Sequence, residues 1–149
     1  MSFLSAFNTS VSGMTAQRQR VNTISENIAN AETTRTPQGG PYRRREVILA
    51  SVANDRTFEE ELLSQDRSVS TSTEVKVVGI VQDERPPILR FEPGHPDANE
   101  EGYVEMPNVN IMEEMVNLMS ANRFYEANTA AFNATKNMVQ SALDLGRNA

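Results

Sequence analysis

Three short stretches of the chain carry side chains with the means to do chemistry. His95 is the only histidine and stands in Pro93-Gly94-His95-Pro96-Asp97, where a histidine beside an aspartate has the parts of a general base. No serine, cysteine or paired acid forms a nucleophile motif around it, so a histidine bracing a proline- and glycine-rich turn is the stronger expectation. Glu59-Glu60-Glu61 offers three carboxylates, but consecutive helical residues point in different directions, which favours a solvated face over a cation site. Arg43-Arg44-Arg45 is the one basic cluster. Strand alternation sends Arg44 away from Arg43 and Arg45, and electrostatic docking onto an acidic neighbouring surface suits the three better than a grip on phosphate or lipid. Gly39-Gly40 lacks the spacing of either nucleotide-binding loop. With 0 cysteines and 1 histidine, thiol nucleophiles, disulfides, Cys-based zinc or iron–sulfur centres and multi-His metal sites are excluded. The residues point to no enzyme, no cofactor and no metal.

The elements that would position these groups divide the chain by composition. Its 149 residues amount to about one domain, and a net charge of −6 argues against a nucleic-acid footprint. That charge is uneven: residues 1–35 sum to +1 and 108–149 to −1, so the stretch 36–107 holds the whole −6. All 7 prolines lie between Pro37 and Pro107, whereas twelve of fourteen asparagines lie in the two outer arms. The longest uninterrupted apolar run, Val47-Ile48-Leu49-Ala50, is far below the roughly 20 residues that span a bilayer. Met1-Ser2-Phe3-Leu4 has no basic start leading to an apolar segment, so no cleaved signal peptide is expected, and any export must read an uncleaved terminus.

In the first arm, Phe7, Met14, Val21 and Ile28 recur every seven residues, with Val11 and Ile24 between them. That period predicts a helix of about 28 residues with a coiled-coil seam, stopping near Asn30 ahead of Pro37. In the last arm Asn110 is the expected N-cap, with Glu113 three residues on in a capping-box pattern. Ile111, Leu118, Tyr125, Phe132 and Val139 then form one heptad row, and Glu114, Ala121, Asn128, Thr135 and Ala142 a second, mostly small or polar. Gly146 is the expected C′ residue. Two helices alone bury little core, so much of this apolar surface is left for neighbouring subunits, as in an open helical filament. The candidate assembly interface is Phe7, Val11, Met14, Val21, Ile24, Ile28 and Asn30 on the first helix. On the second it is Ile111, Leu118, Ala121, Tyr125, Asn128, Phe132 and Val139.

Between the arms, 37–41 reads as a turn, and 42–53, 74–81, 88–91 and 103–106 read as strands, with one helical turn over 58–63. The fold class is therefore α+β: a helical arm over 1–35, a β-rich insert over 36–107 and a helical arm over 108–149, the arms forming a coiled-coil domain.

Asn27-Ile28-Ala29-Asn30-Ala31, with Ser12-Gly13-Met14, Gln17 and Arg20 upstream, resembles the N-terminal signature of the axial proteins of the bacterial flagellum, the rod, hook and hook-associated subunits. The stretch 115–128 resembles its C-terminal counterpart. The motifs at 93–99, 102–104, 107–110 and 42–47 are similar to those of a proximal-rod member. The resemblance implies a structural subunit of the proximal rod, which assembles through its terminal helices into a tube that transmits torque from motor to hook. It also implies a periplasmic location in the basal body and export by the flagellar type III apparatus without signal cleavage. The implied partners are further copies of the chain and the rod proteins FliE, FlgB, FlgF and FlgG. On this reading the terminal helices fold on assembly, which unprotected amides in the dilute chain would reveal by hydrogen exchange. The alternative is a helical adaptor outside any filament, whose export would not depend on the flagellar system.

Overall fold

The computed structural model describes residues 3–53 and 73–147. The expected helical turn at 58–63, and Glu59-Glu60-Glu61 with it, lie outside the described residues. Helix α1 covers Phe3–Ala29, close to the length that the heptads predict. It ends as Asn30 folds back: its Nδ2 donates to the Glu26 carbonyl at 2.8 Å and its Oδ1 accepts from Thr33 Oγ1 at 3.2 Å. The turn that follows depends on glycine, since Gly39 and Gly40 take φ of 88° and 72° between the two prolines. Strand β1, Arg45–Ala53, pairs antiparallel with β2, Thr73–Gln82. A bulge falls where Ile48 faces Gly79 but Leu49 faces Val77, which leaves Val78 as the extra residue. Strands β3, Ile88–Phe91, and β4, Tyr103–Met106, make a second antiparallel pair. Helix α2 covers Ile111–Arg147, and Asn110 caps it as expected, its Oδ1 accepting from Met112 N at 3.1 Å and Glu113 N at 3.4 Å.

The four strands thus form two separate two-stranded ribbons. The β1–β2 ribbon leans on α1: Ser12 Oγ accepts from Val75 N, and Thr9 Oγ1 donates to the Thr73 carbonyl, both at 3.2 Å. The second ribbon is closed by the loop that carries the histidine. There His95 Nδ1 accepts from Asp97 N at 3.1 Å, Asn99 Oδ1 accepts from Glu101 N and Tyr103 N, and Asp97 accepts from Thr34 Oγ1 at 2.8 Å. His95 therefore braces a turn, which in turn is tied to the segment after α1. Gly146 departs from expectation: it sits inside α2, which runs on to Arg147 without a positive φ. No helix among the described residues is long and apolar enough to cross a membrane.

Candidate assembly interface

The helices α1 and α2 pack antiparallel through a row that is not the most apolar one. On α1 the buried positions are Ser10, Gly13, Ala16, Thr23, Ile24 and Asn27, and on α2 they are Glu114, Ala121 and Thr135. These are mostly small or polar, so the helices can approach closely. A Cβ added at Gly13 would lie 3.0 Å from the Asn128 amide. The larger heptad residues flank this row. Phe7 meets Phe132 edge to face at 4.9 Å between ring centroids, and Met14 Sδ accepts from Thr129 Oγ1 at 3.3 Å.

Of the candidate interface residues, Ile24 and Ala121 are buried within the chain, while Phe7, Met14, Val21, Ile28, Leu118, Asn128, Phe132 and Val139 are half-buried along the seam's flanks. Val11, Ile111 and Tyr125 are exposed. Asn30 is engaged in closing its own helix, as described above, so its side chain serves the α1 stop rather than a helix–helix seam. Beyond the candidates, Met112, Met115, Val116, Met119, Phe124 and Met138 stand bare on α2.

At one end of the seam lies a polar hub that the heptad pattern does not announce. Asn27, 1% exposed, uses its whole amide. Nδ2 donates to the Arg45 carbonyl at 2.8 Å and to Glu114 Oε2 at 2.9 Å. Oδ1 accepts from Tyr42 OH and from Arg45 N, both at 2.9 Å. Glu114, equally buried, accepts on Oε1 from Arg44 Nε at 2.9 Å and Nη2 at 2.8 Å. α1, the start of β1 and α2 thus meet in one saturated network, which is how buried polar groups avoid a desolvation penalty. Burial works against the charged Arg44 guanidinium, but the hydrogen bond and charge of Glu114, with Glu46 behind it, more than offset this and raise its pKa. Burial likewise raises the Tyr42 phenol; Arg45, 5.8 Å over the ring, opposes the shift, and Glu26 and Glu114 add to it.

The arginine triplet is therefore divided. Arg44, just ahead of β1, is held inside the chain with its side chain 14% exposed and its guanidinium on Glu114. Arg45 pairs with Glu26 at 3.5 Å, and of the three only Arg43 is exposed. The sequence signal for the hub is present but silent about its meaning, since Asn27 opens the signature motif and Glu114 heads the small-residue heptad row. Among the described residues no cluster of His, Asp and Glu is arranged to hold a metal ion.

Two family models match the chain: "Flagella basal body rod protein" over residues 7–35 and "Flagellar basal body rod FlgEFG protein C-terminal" over residues 100–145. Among curated proteins, the chain is 43% identical over 147 residues to the flagellar basal-body rod protein FlgC of Borreliella burgdorferi, covering 96% of this chain and 97% of that one. It is 43% identical to FlgC of Bacillus subtilis, covering 99% and 100%. It is 36% identical to FlgC of Salmonella typhimurium, again over 99% and 100%. The matched ends hold α1 and the segment leading through β4 into α2, which form the seam; of the hub they include Asn27 and Glu114 but not Tyr42, Arg44 or Arg45.

Proposed function

Because this chain belongs to the FlgC family of flagellar basal-body rod proteins and is a structural subunit of that rod, we propose that its paired terminal helices build the inner wall of the proximal rod. The helices of neighbouring subunits pack through the apolar residues left bare around the α1–α2 seam, and the β ribbons lie outside them. The observation that carries this reading is the inversion of the usual packing order. Small and polar residues are buried within the chain, while Met112, Met115, Val116, Met119 and Phe124 stay exposed. Such a surface is stable only when other subunits cover it. Torque then passes along stiff, close-packed helices, and the hub ties each β1–β2 ribbon to the helix pair.

On the same reading the chain leaves the cytoplasm through the flagellar type III apparatus with its N-terminus uncleaved. It assembles in the periplasm among copies of itself, FliE, FlgB, FlgF and FlgG. Of the arginine triplet, Arg43 is the one exposed to an acidic neighbour. The test is Leu118→Asp in a strain lacking the native protein. A carboxylate on the half-buried flank has no partner when packed, so the variant is exported but no rods form and cells do not swim. Normal motility would refute the interface.

A further inference from the structure

The chain has 0 cysteines and 0 tryptophans but 7 methionines, so its thioethers are the side chains most open to two-electron oxidation. They stand in unlike places. Met14 lies in the seam, with its Sδ accepting from Thr129 Oγ1 at 3.3 Å, and Met106 is half-buried on β4. Met112, Met115 and Met119 instead follow one another along a single face of α2 at i, i+3 and i+7, and are 71%, 46% and 56% exposed. Val116, exposed as well, sits among them. The three sulfurs are spread over roughly 10 Å of helix, so a neighbour that covers one of them covers the row.

We propose that Met112, Met115 and Met119 are a modification site: hydrogen peroxide converts them to sulfoxides before the subunit is incorporated, and a chain so modified does not add to the rod. This rests on the rod-subunit reading above, in which neighbours cover this face. In the reaction a sulfur lone pair attacks one peroxide oxygen and the O–O bond breaks. The sulfur keeps that oxygen and is oxidised by two electrons, while the other oxygen leaves with both protons as water. The product is a polar, chiral side chain where a flexible apolar one stood. Its new oxygen accepts hydrogen bonds from water, and an apolar neighbour would strip that water without supplying a donor. Met14 and Met106 are set apart by place, since neither stands bare on the face to be covered. Once a neighbour covers the row the sulfurs are shielded, so a finished rod resists a dose that stops a growing one. Sulfoxide reductases reverse the change, which makes the block on addition reversible.

The test is a short hydrogen peroxide pulse, quenched with catalase, given to cells that are building rods. Their only copy of the protein is the parent chain or a variant carrying Met112→Leu, Met115→Leu and Met119→Leu. Peptide mapping compares sulfoxide in the unassembled chain with that in chains from isolated basal bodies. In the parent, sulfoxide at positions 112, 115 and 119 should be at least about tenfold scarcer in basal bodies, the effect of one buried oxygen without a donor. Leucine keeps the volume and apolar character without the sulfur. The leucine variant should therefore build rods normally and continue after a peroxide dose that stops new rods in the parent. Met115→Gln, which sets a polar amide in the row, should lower the number of rods with no peroxide at all. Equal sulfoxide at the three positions in the two pools, or equal loss of new rods in parent and leucine variant, would overturn the site and leave the rod reading standing. The mapping uses the parent chain, so it decides even where the leucine variant assembles poorly. Absence of the parent chain from basal bodies without peroxide would instead refute the rod reading itself.

Discussion

Asn27→Asp is nearly isosteric, yet it strikes the hub at its most exacting point. The change replaces the Nδ2 donor by an oxygen, so the hydrogen bonds to the Arg45 carbonyl at 2.8 Å and Glu114 Oε2 at 2.9 Å are lost. Two carboxylates then face each other at the second of these distances. At an effective dielectric of 20 that contact costs about 6 kcal/mol, and Arg44, already bound to Glu114, offsets part of it. Even half of the repulsion, about 3 kcal/mol, shifts an equilibrium more than a hundredfold. A proton shared by the pair would relieve it, so one carboxyl of the variant binds its proton above the ordinary range near 4. Such a raised folded-state pKa gives stability that is present below the unfolded value and lost as pH rises through the folded one. The variant is therefore injured at neutral pH and recovers in acid. Urea release of the chain from isolated basal bodies measures this. The Asn27→Asp chain should leave at clearly lower urea than the parent at pH 7.5, with the gap narrowing at pH 5. Equal release at pH 7.5, or a gap that widens in acid, would refute the assignment of Asn27 as a donor to a charged Glu114.

Two further predictions probe neighbouring parts of the fold. Glu114→Ala leaves the largely buried Arg44 guanidinium with only Glu46, at 3.4 Å, and should cost about 1–3 kcal/mol, whereas Arg44→Met with Glu114→Leu removes both charges and should recover most of that; the same urea release compares them. Gly102→Ala places a Cβ 3.0 Å from the Phe91 ring and 3.2 Å from Pro93 Cβ at a φ of 83°. It should cost about 1–3 kcal/mol, seen as faster proteolysis of the loop at 92–101 with α1 and α2 intact.

Local order along the chain is largely readable because it rests on local rules. Val75, Val77 and Val81 give β2 away by β-branching, and Asn110 marks the start of α2 because its side chain meets amides two and three residues on. Partners chosen by size and by distant folding are not readable. Heptad counting in α1 favours Phe7, Met14, Val21 and Ile28, but the closest approach to α2 is set by what is small, Gly13 above all, and a hydrophobic stripe carries no record of smallness. Asn27 and Asn30 look alike in the signature. Only the fold separates the hub residue from the helix stop, by bringing Tyr42, Arg45 and Glu114 to the first and leaving the second with Glu26 and Thr33. Arg44 lies just before β1, and nothing local marks its destination 70 residues away. The four strands can be found one by one, yet nothing local specifies that they pair as two ribbons rather than one sheet. Gly146 misleads because a glycine near a helix end signals a stop only when the chain turns left-handed there.

The balance between the two kinds of contact explains why the subunit is built this way. Among the described residues the buried hydrophobic side chains are few, namely Ala16, Ile24, Tyr42, Val104 and Ala121, and Gln17 Oε1 lies buried with no donor. Such a seam contributes little attraction of its own, because stabilisation follows the apolar area removed from water. The hub contributes geometry instead. Its bonds are directional and saturated, so they hold α1, β1 and α2 at one mutual angle, and an alternative angle leaves buried donors and acceptors unpaired. On the proposed assembly, attraction resides in the bare methionines, leucines and phenylalanines, which gain when a neighbour covers them. Changes at Asn27 or Glu114 should therefore distort rods that still attract subunits, while polar changes at Met115 or Leu143 should leave a correctly shaped subunit that does not add. A subunit that sets its angle by polar contacts and its affinity by apolar ones has little reason to aggregate on its flanks alone, because only a neighbour presented at the matching angle can cover the whole apolar surface.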